Sequence, residues 1–220
     1  MRVLTVARWV VALVLAVSVG VAGAASKKEA ASKPEEDPLR AQLDKKTPQE
    51  RVEYLQGLVD AGQTTKEVWF HLGNAQYEAG QAARAADAFQ QAVAIDSTYF
   101  KAVINLGLMF DDQQLYPKAI EVFEQAGRLQ PGNPDVWSHM GNTYYAQKDF
   151  PKAMELYKRA LQLDPKATHA LYSIGVAFAD AGMFREAVKY WDQVATLDPQ
   201  GELGKNAKDN LDLVRKYLIP

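Results

Sequence analysis

The chain of 220 residues contains no cysteine. This absence excludes disulfide bonds, thiol catalysis, thiolate metal sites, covalent c-type haem and a lipid-modified N-terminal cysteine. Basic residues never run beyond two in a row, as at Lys27-Lys28 and Lys45-Lys46, so we expect no nucleic acid partner. The sequence also has no glycine-rich phosphate loop, HExxH string or Ser/His/Asp order. We therefore expect no enzymatic activity, no cofactor and no metal.

Long apolar runs are absent except at the N-terminus. Arg2 and Arg8 flank the start of the apolar string "WVVALVLAVSVGV", which small residues follow, with Ala22 and Ala24 in an A-x-A pattern. This order predicts a secretory signal peptide in residues 1–25. Residues 9–25 also lie at the lower length limit for a membrane span, so an uncleaved anchor is the alternative. Both place the folded part outside the cytoplasm, in the periplasm or secreted, and cleavage changes the net charge from −2 to −4.

Residues 26–46 are charged and contain only two large apolar residues, Leu39 and Leu43. Such a composition predicts a flexible linker. The next residues, "TPQE" at 47–50, combine a Thr cap, a proline in the first helical position and a glutamate three residues after the cap. They predict a leading helix within residues 47–65, ending near Ala61-Gly62.

A strict internal repeat fills most of the remaining chain. The string "WFHLGNAQYEAG" begins at Trp69, and variants begin at Val103, Trp137 and Leu171, each 34 residues after the last. We divide the repeats as 66–99, 100–133, 134–167 and 168–201. Each has two stretches of helical periodicity with a short polar break between them. Residues 202–220 predict a last helix that covers the open end of the stack.

The repeated residues resemble the tetratricopeptide repeat, whose pattern is a large residue, Leu-Gly, an aromatic, Ala, an aromatic, Ala and Pro. The third repeat matches with Trp137, Met140, Gly141, Tyr144, Ala153, Tyr157, Ala160 and Pro165. The first departs, because Gln76 replaces the aromatic and Ser97 replaces the proline. The resemblance implies an all-α, right-handed superhelical solenoid of antiparallel helix pairs. We interpret the mid-helix glycines as sites of close helix approach that face Ala85, Ala119, Ala153 and Ala187, while the aromatics fill wider gaps.

In that family the first helix of each repeat lines a concave groove. The resemblance therefore implies a partner-binding set, which comprises Phe70, His71, Asn74, Tyr77, Lys101, Ile104, Asn105, Leu108, Asp111, Asp112, Ser138, His139, Asn142, Tyr145 and Tyr172. Six acids also fall at groove positions against Lys101 alone: Glu67, Glu78, Asp111, Asp112, Asp135 and Asp180. A neutral or basic protein or peptide segment is the expected partner.

Two kinds of groove residue could carry a more specific role. Asn74 and Asn105 match the asparagines with which some family members hold a C-terminal carboxylate, but Phe70, Asp135 and His139 stand where basic residues would be needed. The asparagines could instead bind an extended backbone, or simply be solvated. The three histidines of the sequence, His71, His139 and His169, all fall at groove positions. His71 and His139 are two repeats apart, so we do not expect convergence on a metal; we expect partner-contacting or exposed side chains.

These observations predict an exported interaction scaffold, an adaptor or assembly factor of the cell envelope that binds through its groove. A structural assembly subunit that binds through its convex face is the alternative. A small-ligand-binding protein or enzyme fits the sequence less well, because no convergent pocket is indicated.

Overall fold

The computed structural model describes residues 38–217, and every regular element in that range is an α-helix. The eleven helices are α1 (Pro38–Leu43), α2 (Pro48–Asp60), α3 (Lys66–Glu78), α4 (Ala82–Ile95), α5 (Phe100–Asp112), α6 (Tyr116–Leu129), α7 (Pro134–Ala146), α8 (Phe150–Leu163), α9 (Thr168–Asp180), α10 (Phe184–Leu197) and α11 (Glu202–Tyr217). Tandem helix pairs begin at residues 66, 100, 134 and 168, which confirms the all-α repeat architecture. The predicted signal, residues 26–37 of the predicted linker and residues 218–220 lie outside the described residues.

None of the helices between residues 38 and 217 is both long enough and apolar enough to cross a bilayer. These residues form two compact units, 38–131 with helices α1 to α6 and 132–217 with helices α7 to α11. Each unit is described by itself.

The first unit begins earlier than the sequence indicates. Residues 38–43 form helix α1, and Leu43, only 5% exposed, packs in a cluster with Leu55 and Leu72. The linker prediction is therefore wrong for this part, because the two large apolar residues judged too few to fold are the ones that pack. The start of α2 is as predicted: the Thr47 amide donates to Glu50 Oε2 at 2.8 Å, and the Glu50 amide donates to Thr47 Oγ1 at 3.3 Å.

The mid-helix glycines make room for aromatic rings. A Cβ atom at Gly107 in α5 would lie 2.6 Å from the ring of Phe123 in α6, and one at Gly141 would lie 2.5 Å from the ring of Tyr157. Gly73 and Gly175 face Phe89 and Trp191 in the same way. The sequence predicts close helix approach at these glycines, but it does not identify the rings as the nearest groups. A flat ring can lie directly on the backbone of a glycine. The alanines Ala85 and Ala187 are fully buried in the same core clusters as Phe89 and Trp191.

The second unit ends in the predicted covering helix. Leu203, Ala207, Leu211 and Val214 of α11 are buried in one cluster with Trp191 of α10. The buried Asn210 of α11 also donates to the hydroxyl of Tyr172 in α9 at 3.1 Å. Helix α11 therefore covers α10 with apolar side chains and reaches α9 with a polar one.

Candidate partner-binding surface

The asparagines of the predicted groove hold consecutive repeats together. In the first unit, Asn105 Nδ2 donates to Asn74 Oδ1 at 3.0 Å, which joins α5 to α3. In the second unit, Asn142 Oδ1 accepts from Ser173 Oγ at 2.7 Å and from Tyr157 Oη at 2.8 Å. The amide oxygens of Asn74 and Asn142 are thus occupied at equivalent positions. Their amide nitrogens make no hydrogen bond to any residue in 38–217.

The groove positions of α3 and α5 in the first unit form a surface that we call the α3–α5 face. It surrounds Asn74 and Asn105. Phe70 is half-buried, with its ring 5.3 Å from that of Tyr99 and 5.5 Å from that of His71. Tyr77 and Leu108 are also partly buried, against a core cluster that includes Phe89, and Ile104 is half-buried. Lys101 is exposed at the start of α5. The face therefore presents partly covered apolar side chains around an amide pair.

Basic side chains of the chain itself lie near some acids of the α3–α5 face. Arg51 Nη1 lies 2.7 Å from Glu78 Oε2, and Lys66 Nζ lies 3.9 Å from Glu67 Oε1. Asp111 and Asp112 are two further acids of this face, at the end of α5. The pKa of Asp112 is raised to about 6 because burial disfavours its charged form and because Asp111 lies beside it. Asp112 as a whole remains exposed, so solvent screens part of this effect.

In the second unit, the groove positions of helices α7 and α9 form the α7–α9 face, which contains two adjacent histidines. The rings of His139 and His169 are 5.2 Å apart, and His169 Nδ1 lies 3.0 Å from Asp135 Oδ1. Burial and the neighbouring His169 lower the pKa of His139 to about 4, although Asp135 acts in the opposite direction. His169 hydrogen-bonds to Asp135, and that bond helps to lower the pKa of the carboxyl. Of the two expectations, exposed or partner-contacting side chains, the first is wrong here, because both histidines are largely covered.

The contact between His139 and His169 does not follow from the separation of His71 and His139, on which the sequence prediction rests. His139 and His169 are 30 residues apart in sequence and occupy neighbouring places on consecutive repeats, so the repeat register could have found them. Within residues 38–217, no three His, Asp or Glu side chains are placed to hold a metal ion together.

The far end of the α7–α9 face carries a tyrosine–aspartate contact. Tyr145 Oη donates to Asp180 Oδ2 at 2.5 Å, while the other oxygen, Asp180 Oδ1, is buried without a hydrogen bond. Burial raises the pKa of Tyr145 and that of Asp180, and the Asp180 carboxyl raises the Tyr145 pKa further. These two residues therefore form a polar contact with limited access to water.

Two residues of the predicted binding set are inaccessible. Ser138 is fully buried and its hydroxyl donates to the Pro134 carbonyl at 2.9 Å. Tyr172 is only 4% exposed, between Trp191 and the covering helix. Their prediction as partner contacts is wrong, because the same repeat position points to the packed interior rather than to solvent in this unit.

Comparison with known proteins identifies the family. Models of the tetratricopeptide repeat match residues 52–100, 72–134, 134–167 and 169–201, together more than half of the chain. A crystal structure of MamA, 23% identical, aligns with a TM-score of 0.56 over 76% of this chain and 90% of its own. A MamA structure, residues 41 to the end, from Desulfovibrio magneticus RS-1 is 20% identical and aligns with a TM-score of 0.62 over 74% of this chain and 92% of its own. At these identities the likeness concerns the fold.

No curated protein sequence matches the chain. The match to residues 134–167 nevertheless begins at the first residue of α7, and the match to residues 169–201 begins one residue after the start of α9. Repeats of this kind serve as scaffolds for protein interaction. The chain belongs to the tetratricopeptide repeat family and is a protein-interaction scaffold.

Proposed function

We propose that this protein is an exported scaffold that binds an extended segment of a protein partner along the first helices of its repeats. Its place would be the cell envelope, where it would act as an adaptor or assembly factor. The partner segment is neutral or basic. No chemical step is required of the scaffold, because binding alone brings partners together.

The observation that carries this proposal is the fixed orientation of two asparagine side chains. Asn74 and Asn142 each commit the amide oxygen to the next repeat, so the amide nitrogen keeps two hydrogens for another acceptor. A partner in extended conformation offers such acceptors in its backbone carbonyls. Because the donors are already held in place, binding does not have to order them.

Replacing Asn74 by Asp tests the role of the amide hydrogens. The substitution keeps an oxygen that can accept from Asn105 but removes the NH2 group. Immobilised mature protein first captures its partner from an envelope extract, and the captured segment is then made as a peptide. We expect Asn74→Asp to weaken binding of that peptide by about threefold to tenfold, the worth of one hydrogen bond, as measured by isothermal titration calorimetry.

Asn206→Asp is the matched control for the added charge. Asn206 lies in α11, outside the predicted groove, and should leave the affinity within about twofold of the wild type. Unchanged affinity in Asn74→Asp would contradict the proposal and favour binding through the convex face. As a second arm, a peptide with two lysines replaced by glutamate should bind more weakly at low salt, and the difference should shrink at high salt.

Export rests on the order of charge, apolar run and small residues in residues 1–25. We expect the protein isolated from the envelope to begin near Ser26, as measured by intact-protein mass spectrometry. A chain that still begins at Met1 and fractionates with membranes would replace this part of the proposal by the anchored alternative.

A further inference from the structure

A surface cavity of about 410 Å³ lies between α2 and the two helices of the first repeat, away from the α3–α5 face. Its apolar lining comes from Trp69, Leu72 and Ala88, and its polar lining consists of Gln56, Gln76, Arg84, Asp87 and Gln91. None of these residues belongs to the predicted groove. The volume lies within the range of roughly 300–1,000 Å³ that is typical of ligand sites.

The cavity exists because the first repeat lacks an aromatic ring that the other repeats possess. Gln76 occupies the place of Phe110, Tyr144 and Phe178 in the later repeats. In the second repeat the ammonium of Lys118 lies 5.5 Å from the ring of Phe110. Arg84 of the first repeat takes the place of Lys118 and lines the cavity with no ring beneath it.

Ala88 enlarges the same space. Its counterpart in the fourth repeat is Tyr190, whose ring stacks on Phe178 with centroids 5.5 Å apart and an angle of 18°. The first repeat therefore has small or thin side chains at both places where the fourth repeat has an aromatic pair. Trp69, which lines the cavity, is only half-buried.

Gln76 adds an unsatisfied polar group to the wall of the cavity. The residue is 6% exposed, and its Oε1 atom is buried without a hydrogen-bond partner. Buried polar atoms of this kind are rare and cost free energy until they find a partner. A hydroxyl group can both donate to an amide oxygen and accept from an amide nitrogen, so it satisfies the Gln76 amide in either orientation.

We propose that this cavity binds a tyrosine side chain of a protein partner. The tyrosine ring lies between Trp69, Leu72 and Ala88, at the place equivalent to that of the Phe110 ring in the second repeat. There it is within reach of the Arg84 guanidinium. The phenol hydroxyl bonds to the Gln76 amide. Arg84 and Asp87 carry opposite charges, so the rim does not select for a charged side chain. This site is separate from the groove and holds whether or not the groove binds.

Titration of the mature protein with p-cresol, the side-chain analogue of tyrosine, tests the site. We expect saturable NMR shifts at the Trp69 indole N–H and the Gln76 side-chain amide, with a dissociation constant in the millimolar range. Toluene, which lacks the hydroxyl, should bind at least about threefold more weakly. Equal binding of toluene and p-cresol, or no saturable shift at Trp69, would overturn the assignment of a tyrosine.

Two substitutions fill the cavity with a larger side chain of the protein itself. Gln76→Tyr supplies the missing ring, and Ala88→Leu fills the space from the other side with the residue that Leu156 places there in the third repeat. We expect either variant to weaken p-cresol binding at least about tenfold, and Gln76→Tyr to raise the Tm by about 2–4 °C. Gln90 is exposed on the same helix as Ala88 and lies outside the cavity, so Gln90→Tyr should change neither p-cresol binding nor the Tm. Retained p-cresol binding in both filled variants would refute the site.

Discussion

Gly107→Val should lower the free energy of unfolding by about 2–3 kcal/mol, although glycine is normally the poorer helix former. The reason is the contact with Phe123, whose ring would lie 2.6 Å from the new Cβ atom and is itself fully buried. The ring cannot swing away without displacing its own neighbours. Urea unfolding followed by far-UV circular dichroism measures the loss.

Gly57→Val is the matched control, because a Cβ atom at Gly57 in α2 meets nothing within 4 Å. This substitution should change the free energy of unfolding by no more than about 0.5 kcal/mol.

A double variant separates crowding from other causes. Phe123→Leu alone leaves a cavity, but together with Gly107→Ala the new methyl group should fill part of it. The combined loss should then be smaller than the sum of the single losses by about 1 kcal/mol. An additive result would contradict the ring-on-glycine account.

Sequence periodicity predicts the helix pairs of this fold well because a stacked repeat imposes the same packing four times. The starts of α3, α5, α7 and α9 coincide with the predicted repeat boundaries. The N-terminal cap of α2 is equally predictable from the sequence, because both of its hydrogen bonds join residues three apart in the chain. Local chemistry and register together therefore determine most of the described fold.

The side chains that meet between two helices are less predictable from one sequence. The glycine pattern predicts close contacts, but it does not identify the rings of Phe123 and Tyr157 as the groups nearest to the glycines. Spacing along the chain does not say which side chain of the second helix reaches the first. Helix α1 was missed for a related reason, because its few apolar residues pack only against a surface that later helices provide.

The candidate surface was predicted as a set of repeat positions, and one such position behaves differently in the two units. Phe70 is half-buried in the first unit, whereas Tyr172 is enclosed by Trp191 and α11 in the second. A repeat pattern assigns the same exposure to both residues because it does not include what covers the end of a stack. The asparagines show a similar limit, since their bonds to the next repeat depend on which side chain stands there.

Burial of His139, beside His169, should make the protein less stable in mild acid. Unfolded His139 takes up a proton near its ordinary pKa of 6.5, whereas folded His139 does so only near 4. Between these values the unfolded state binds more protons, so the contribution of His139 to stability is complete above pH 6.5 and is lost as pH falls toward 4. At about 1.4 kcal/mol per pKa unit, the loss is on the order of 2 kcal/mol after allowance for residual solvent contact.

Other groups act in the same range of pH and must be separated from His139. The raised pKa of Asp112, about 6 against an ordinary 3.8, gives the opposite sign, because the folded state then keeps a proton that the unfolded state has released. The lowered pKa of Asp135 matters only below its ordinary value of 3.8. Asp112→Asn should therefore steepen the wild-type loss of stability between pH 7 and pH 4.

His139→Asn should remove the part of the acid-dependent loss of unfolding free energy that His139 causes. This expectation does not depend on the stability of the variant at pH 7. The measurement is the difference in unfolding free energy between wild type and variant, which should shrink by about 2 kcal/mol from pH 7 to pH 4. An NMR titration of the His139 ring should give a midpoint near 4. A midpoint near 6.5, or parallel stability curves for wild type and variant, would contradict the prediction. Protonation of His139 would also place a cation 5.2 Å from the His169 ring. We therefore expect acid to weaken the packing of α7 against α9 before other contacts of the second unit.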